Sequence, residues 1–286
     1  MSAGPVSPWE AALLGLVEGL TEYLPISSTG HLILVAALLG RTGDPGLNAF
    51  NIVVQSGAIL AVLGLYRHRV AGMLADGWRL LSSGRPGRPP LAELHGLRLA
   101  IHLGIAFLPA ALLGPLADDA IERVLFHPRP VAGALAAGAL AIFVLEPLRR
   151  RRSAGGFDLD RLTAGRALLI GLAQCLAMVP GTSRSLATIL AGIAVGLHPA
   201  AAAEFSFLLG LPTLGGATLY KAWTAGDALM ASVGIVPLVV GLVVAMVSAA
   251  LAIRGFVAWL TRHGLAPFAV YRLLLAGAVL LVLARG

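Results

Sequence analysis

Long apolar runs recur along this chain and alternate with short polar segments. Six of them are each about 18 to 23 residues long, at 46–66, 94–116, 130–148, 199–221, 233–253 and 267–284. A helix needs about 20 predominantly apolar residues to cross the hydrocarbon core of a bilayer. The pattern therefore predicts six transmembrane helices with both chain ends on the same side of the membrane.

Two further apolar segments are interrupted by helix-breaking residues. Residues 9–40 are broken at Pro25, and residues 162–197 are broken at Pro180. A break at membrane depth frees backbone groups, which is tolerated only where protein or a water-filled cavity supplies partners. We therefore predict two re-entrant helix hairpins. The predicted fold class is an all-α polytopic membrane protein with six transmembrane helices plus these two hairpins.

The two broken segments also align with each other as an internal repeat. Residues 15–20 match 171–176 at an offset of 156, and beyond a one-residue gap two stretches match at an offset of 155: 25–28 with 180–183, and 49–50 with 204–205. Three predicted crossings separate the copies, and an odd number inverts the second copy. We predict a single integral membrane domain over 1–286, with a first repeat at about 9–116, a second at about 162–253, and extra spans at about 130–148 and 267–284.

Composition and charge agree with a membrane protein. The residues are 58% hydrophobic and only 12% charged, which is more apolar than a soluble domain. The arginines concentrate in three loops that six crossings place on one face, at 67–90, 149–166 and 254–266, and such a face is cytoplasmic. The net charge of +7 therefore reflects topology, and we predict no nucleic-acid partner. The lone Cys175 excludes a disulfide within the chain.

The first broken segment carries two carboxylates at helical spacing. Glu18 and Glu22 are one turn apart and repel each other unless one is protonated or a cation lies between them. A divalent cation, Mg²⁺ or Ca²⁺, suits carboxylate oxygens together with phosphate oxygens. The alternative is that one carboxylate faces the aqueous rim.

Three hydroxyl residues and a histidine follow the first break. Ser27, Ser28 and Thr29 could cap the next helix, but three in a row exceed one cap. His31 follows Ser28 by three residues, which makes Ser28 a candidate nucleophile with His31 as its base. The alternative for His31 is a buried histidine whose hydrogen bonds are satisfied.

Arg184 stands out in the second broken segment because a charged group at membrane depth usually marks a function. Its planar guanidinium suits bidentate binding of phosphate oxygens. Thr182, Ser183 and Ser185 can add donors at a helix N-terminus, which itself favours anions. The alternative is a structural salt bridge to the two glutamates. Metal, arginine, hydroxyls and histidine together predict phosphoryl transfer on a lipid.

Both polar segments resemble motifs of a known family. Residues 18–31, EGLTEYLPISSTGH, and 180–185, PGTSRS, followed by Thr188, closely resemble the two motifs of the undecaprenyl-diphosphate phosphatases, also called bacitracin-resistance proteins. The resemblance extends through 50–61 and 203–209 and covers most of the chain. It implies hydrolysis of undecaprenyl diphosphate to the monophosphate carrier of cell-wall synthesis. The implied location is the bacterial inner membrane, with the site opening to the periplasmic side.

The resemblance also implies roles for individual residues. Glu18 and Glu22 are associated with the metal and catalysis, Ser28 with nucleophilic attack, His31 with acid or base chemistry, and Arg184 with the diphosphate. The implied supporting donors are Ser27, Thr29, Ser183 and Thr188. The implied partners are the polyprenyl diphosphate lipid and membrane lipids, and a homodimer is left open.

Three residues depart from the family pattern. Leu186 stands where glycine is usual, Asn51 where an acidic residue often occurs, and Ser56 where leucine is common. Of these, Leu186 is the one expected to affect substrate fit.

Two other functions stay open from the sequence. A transporter of the polyprenyl phosphate carrier would use the same broken helices, but it needs no nucleophile, so Ser28 and His31 favour the enzyme. An ion channel would use the same buried charges, but the hydroxyls around Arg184 argue against a cation path.

Overall fold

The computed structural model describes residues 5–84, 89–125 and 128–285. Two arginines of the first basic loop, Arg85 and Arg88, lie outside these ranges. The described chain contains no β-strand, and its helices are α1 (Pro8–Thr21), α2 (Ser28–Leu38), α3 (Pro45–Leu65), α4 (Arg67–Ser82), α5 (His95–Leu125), α6 (Pro128–Gly155), α7 (Ala164–Gln174), α8 (Arg184–Ala194), α9 (Pro199–Val233), α10 (Ile235–His263) and α11 (Ala266–Arg285). The predicted all-helical class is confirmed.

Within the described ranges, five helices are long and apolar enough to cross a membrane. They contain the first five predicted spans, at Gly46–Leu65, His95–Leu116, Arg129–Gly155, Pro199–Tyr220 and Ile235–His263. The sixth predicted span falls on α11, where the described apolar stretch ends at Leu281 and is shorter than the other five. A crossing by α11 stays a prediction.

Each broken segment folds back so that its two ends meet. Arg41, just after α2, forms an ion pair with Glu10 at the start of α1, with 3.2 Å between Nη1 and Oε1. In the second segment, the backbone of Phe157 before α7 bonds to Gly196 and His198 after α8, at 3.1 and 2.9 Å. At 14 residues, α1 is about 21 Å long, too short for a core about 30 Å thick. Both segments are therefore helical hairpins.

The two hairpins share an unusual backbone feature at the break. Ser27 and Ser183 each cap the second helix of their hairpin, with φ values of 70° and 73°. They are the only non-glycine residues of the described ranges with positive φ. This conformation costs about 1–2 kcal/mol for a residue with a Cβ. Such strain is concentrated at functional sites.

These caps correct one part of the predicted repeat alignment. Ser27 and Ser183 are 156 residues apart, the same offset as the matched stretches in α1 and α7. The repeat alignment predicted from the sequence placed a one-residue gap before the break, and at these caps that gap is wrong. The residue that corresponds to Ser28 is Arg184, because each is the first residue of its helix.

Each hairpin rests on a helix from the other half of the chain. α1 packs mainly against α10, and α7 packs mainly against α5. A Cβ on Gly15 would lie 2.4 Å from the carbonyl oxygen of Gly241, and one on Gly171 would lie 2.3 Å from that of Ala106. No larger residue fits at either position, so these matched glycines set how closely the hairpins approach their supports.

Helix α11 is positioned beside the first hairpin. It packs along α6 and also contacts α2. Leu135 of α6 and Leu275 and Val279 of α11 are buried together, with Ile33 of α2 packed against them. The polar residues of α11 are thereby placed next to the first break.

Candidate active site

The two breaks meet at a cavity of about 150 Å³. Its lining includes six of the nine predicted site residues, namely Glu22, Ser27, Ser28, Thr29, Ser183 and Arg184. Gln55 of α3 also lines it and was not singled out from the sequence as a site residue. The predicted convergence of the two polar segments is therefore present in the structure.

Glu22 is the residue that joins the two segments. Arg184 Nη2 donates to its Oε1 at 3.0 Å, across 162 residues of chain. Ser28 Oγ donates to its Oε2 at 2.8 Å. The Glu22 residue is only 8% exposed, so both contacts are made out of bulk water, where hydrogen bonds to charged groups are strongest. The salt bridge considered as the alternative role of Arg184 is thus formed, and it lies on the cavity wall.

The guanidinium of Arg184 is held on several sides. Its Nη1 donates to the Ser206 carbonyl at 2.7 Å, and its Cζ lies 5.1 Å from the centre of the Tyr23 ring. A Cβ on Gly210 would lie 2.9 Å from the guanidinium, so glycine makes room for it. The Nε atom is buried and has no partner in the described structure. Glu22 and Ser206 therefore fix the guanidinium on the cavity wall.

Thr188 lies behind the cavity. It is 1% exposed, its Oγ1 donates to the Arg184 carbonyl at 2.8 Å, and it lies 2.6 Å from Ser206 Oγ. Because Ser206 in turn binds the guanidinium, Thr188 supports Arg184. This position differs from the predicted contact with substrate.

The serines of the second break bind the first break. Ser185 Oγ donates to the Leu24 carbonyl at 2.8 Å, and Ser183 Oγ lies 3.0 Å from Ser185 Oγ. Ser183 Oγ also accepts from the Leu186 amide at 3.3 Å as the cap of α8. The Leu24 carbonyl lies at the break, outside the hydrogen-bond pattern of a helix, and Ser185 supplies it with a donor.

His31 and Ser28 are not joined by a hydrogen bond in the described structure. Its Nδ1 lies 2.7 Å from the Ser27 carbonyl oxygen, and its Nε2 lies 2.7 Å from the Tyr271 hydroxyl. The predicted pairing of Ser28 with His31 is therefore not made in this structure. The group that accepts the hydrogen bond of Ser28 is Glu22.

Glu18 is fully buried behind Glu22. It is 0% exposed, and neither of its carboxylate oxygens has a hydrogen-bond partner in the described structure. The Tyr23 hydroxyl is likewise buried without a partner. A carboxylate buried in this way is costly to keep charged, and the negative charge of the neighbouring Glu22 adds to the cost. Glu18 therefore requires either a proton or a cation.

Arg272 is the largest feature that the sequence analysis missed. The residue is 0% exposed and donates to five backbone carbonyls at 2.9 to 3.2 Å, those of Pro25, Ala134, Leu135, Gly181 and Thr182. It therefore binds both breaks and α6 at once. The available signal was a single charged residue within the last apolar run.

The departure at Leu186 faces away from the cavity. Leu186 is 2% exposed, belongs to the main buried cluster, and does not line the cavity. An effect of this residue on substrate fit is therefore not supported by direct contact.

Comparisons with known proteins agree on one family. The family model described as "Bacitracin resistance protein BacA" matches residues 11–278. Similar curated proteins are named undecaprenyl-diphosphatase. The one from Sorangium cellulosum is 47% identical over 95% of this chain and 85% of that protein. Those from Azotobacter vinelandii and Acinetobacter baumannii are 45% and 43% identical, over 92% and 96% of this chain and 90% and 95% of the respective relative.

These matches span both hairpins and nearly all the helices around them, so they include the whole cavity. The resemblance inferred from the two polar motifs is confirmed. The chain belongs to the bacitracin resistance protein BacA family.

Proposed function

We propose that this protein is an integral membrane phosphatase that hydrolyses undecaprenyl diphosphate to undecaprenyl phosphate and inorganic phosphate. The observation that carries the proposal is the connected set of Ser28, Glu22 and Arg184 in one cavity. A hydroxyl, a carboxylate that can take its proton, and a cation that can bind phosphate oxygens are the groups this reaction needs. Transport of the carrier would need no such hydroxyl–carboxylate pair.

The geometry supports attack by Ser28 on the terminal phosphorus. Glu22 takes the proton of the Ser28 hydroxyl, to which it is bonded at 2.8 Å. The Oγ–P bond forms while the bond from phosphorus to the bridging oxygen breaks, and undecaprenyl phosphate leaves with that oxygen. Arg184 neutralises charge on the phosphoryl oxygens. Water then cleaves the phosphoserine, releasing inorganic phosphate and restoring the hydroxyl.

A divalent cation, Mg²⁺ or Ca²⁺, fits Glu18 of α1 and Glu22, which caps the end of that helix. Glu18 offers two oxygens without a partner in the described structure, and Glu22 offers oxygens that accept from Ser28 and Arg184. Within the described ranges, no group of three His, Cys, Asp or Glu side chains could hold a metal. Glu18 and Glu22 would hold the cation together with substrate phosphate oxygens and water, as is usual for Mg²⁺. When bound, the cation supplies charge stabilisation to the phosphoryl group.

The membrane arrangement follows from the hairpins and the charges. We infer that they are re-entrant and enter from opposite faces of the bacterial inner membrane, with the basic loops cytoplasmic and the cavity opening to the periplasm. Support comes from the short α1 and from the two closed hairpins, each resting on the other half.

Phosphate release in detergent tests this function. The purified protein supplied with Mg²⁺ or Ca²⁺ is expected to release phosphate from undecaprenyl diphosphate, where transport is impossible. Ser28→Ala is expected to lower kcat at least about 100-fold, because it removes the attacking group. The matched control is Ser82→Ala, on an exposed part of α4, with wild-type turnover. Absence of release by the wild-type protein would overturn the proposal, and full activity of Ser28→Ala would make water the attacking group.

Metal removal is a separate test. Excess chelator is expected to reduce turnover to background, and added Mg²⁺ or Ca²⁺ to restore it. Glu18→Gln is expected to raise the cation concentration needed for half-maximal activity at least about tenfold, since it removes a charged ligand. Full activity in chelator would mean that Glu18 is protonated and that the two glutamates act without a metal.

A further inference from the structure

Tyr271 of α11 contacts the histidine of the first hairpin through both its hydroxyl and its ring. The hydroxyl oxygen lies 2.7 Å from His31 Nε2, across 240 residues of chain. The two rings are nearly parallel, with an angle of 9° between their planes and 5.6 Å between their centres. Two independent contacts therefore define the orientation of the imidazole.

The hydrogen bonds of His31 identify its tautomer. The Ser27 carbonyl can only accept, so the Nδ1 atom at 2.7 Å from it must carry a hydrogen. In a neutral imidazole, Nε2 is then the acceptor, and the Tyr271 hydroxyl is the donor. When Nε2 takes up a proton, the same phenol oxygen can turn and accept from it. Tyr271 thus matches both protonation states of His31.

The position of Tyr271 is fixed by its neighbour in sequence. Arg272 is fully buried and donates to the carbonyls of Pro25 and Gly181 on the two breaks. α11 therefore cannot shift relative to the hairpins without breaking these bonds. Tyr271 itself is 43% exposed, so its hydroxyl is not required to fill the core.

We propose that Tyr271 is a positioning residue for the reaction, which holds the His31 ring in the orientation that directs its Nδ1 hydrogen at the Ser27 carbonyl. His31 is bonded to the carbonyl of Ser27, the strained cap that directly precedes Ser28. Tyr271 therefore helps to keep the His31 hydrogen bond on the strained backbone from which the attacking hydroxyl of Ser28 extends. The proposal rests on the proposed hydrolysis for its kinetic consequence, but the hydrogen bonds of His31 do not depend on activity.

Tyr271→Phe tests the proposal because it keeps the ring and removes only the hydroxyl. We expect kcat to fall about 10- to 100-fold, as for other partners of catalytic imidazoles, with KM within about twofold of wild type. Tyr220→Phe, which changes an exposed tyrosine of α9, is the control and should leave both constants unchanged. A wild-type kcat in Tyr271→Phe would overturn the kinetic part.

A double-mutant cycle separates action through His31 from any other role. In the His31→Gln background, Tyr271→Phe is expected to cause no further loss, because the group it orients is already gone. An additional loss equal to that in the wild-type background would overturn the proposal, since it would mean that Tyr271 acts independently of His31.

Nuclear magnetic resonance of ¹⁵N-labelled histidine supplies a readout without turnover. The chain has seven histidines, and His31→Gln identifies the signals of His31 by their disappearance. The wild-type protein is expected to show His31 with hydrogen on Nδ1, and Tyr271→Phe a shifted Nε2 resonance, because that nitrogen loses its hydrogen-bond donor. An unchanged spectrum in Tyr271→Phe would overturn the proposal. Failure of the wild-type protein to hydrolyse the lipid would instead affect only the proposed function.

Discussion

Glu22→Gln is expected to lower kcat at least about 1,000-fold while the protein folds normally. The substitution keeps the shape of the side chain but replaces the charge that accepts from Ser28 and Arg184. Loss of the proton acceptor alone accounts for about 10² to 10⁴ in rate, and loosening of Arg184 adds to it. The measurement is phosphate release from a prenyl diphosphate, with thermal unfolding in detergent to confirm a native fold.

The matched control is Glu204→Gln. Glu204 also accepts from an arginine, with 2.7 Å between its Oε1 and Nε of Arg69, but this pair lies outside the cavity. The Glu204→Gln variant is expected to retain wild-type turnover.

A double variant tests whether Glu22 acts on Ser28. If it does, Glu22→Gln combined with Ser28→Ala should be no slower than the slower single variant. Multiplicative losses would contradict a shared role.

Arg272→Met is expected to prevent the protein from accumulating in a folded state. The substitution removes one donor from each of five carbonyls, and those of Pro25, Gly181 and Thr182 lie at the two breaks, outside the helices. Each buried polar group left unpaired costs about 1–3 kcal/mol. Several such losses are a large part of the roughly 5–15 kcal/mol that stabilises a folded protein. The measurement is the yield of monodisperse protein in detergent and its melting temperature.

Arg272→Lys tests the same hydrogen bonds in a variant that we expect to fold well enough to be purified. Lysine keeps the charge but has three donors on one nitrogen, so it cannot reach α6 and both breaks together. We expect a lower melting temperature and reduced turnover. Arg254→Met, at an exposed arginine of α10, is the control and should melt as the wild-type protein does. A wild-type melting temperature for Arg272→Met would show that these carbonyls need no arginine.

Much of the fold was predictable because its signals are local. Composition and the length of the apolar runs predicted the helical class and six spans, five of which are long apolar helices in the described ranges. Pro25 and Pro180 marked the two breaks, because proline removes a helix hydrogen bond, although Pro109 and Pro212 lie inside the continuous helices α5 and α9. The register of the repeat was less accurate, because the matched feature is a backbone conformation at Ser27 and Ser183 that the residue types do not indicate.

The site was predictable to the extent that charged and hydroxyl groups are rare in an apolar chain. Glu22, Ser28 and Arg184 were selected on that basis and line one cavity. The partner of Ser28 was not predicted, because proximity in sequence favoured His31 while the turn directs that imidazole to Tyr271. Thr188 was placed near the substrate, but packing of α8 against α9 turns it toward Ser206.

By itself, the sequence determined that this is a membrane protein of the bacitracin resistance protein BacA family, with its polar chemistry on two broken helices. Those properties follow from composition, spacing and motif. Only the tertiary structure decided that α11 supports the site through Tyr271 and Arg272. Their partners lie from 90 to 247 residues away in the chain. A pattern of residue types cannot specify contacts at that separation, because they depend on how the helices pack.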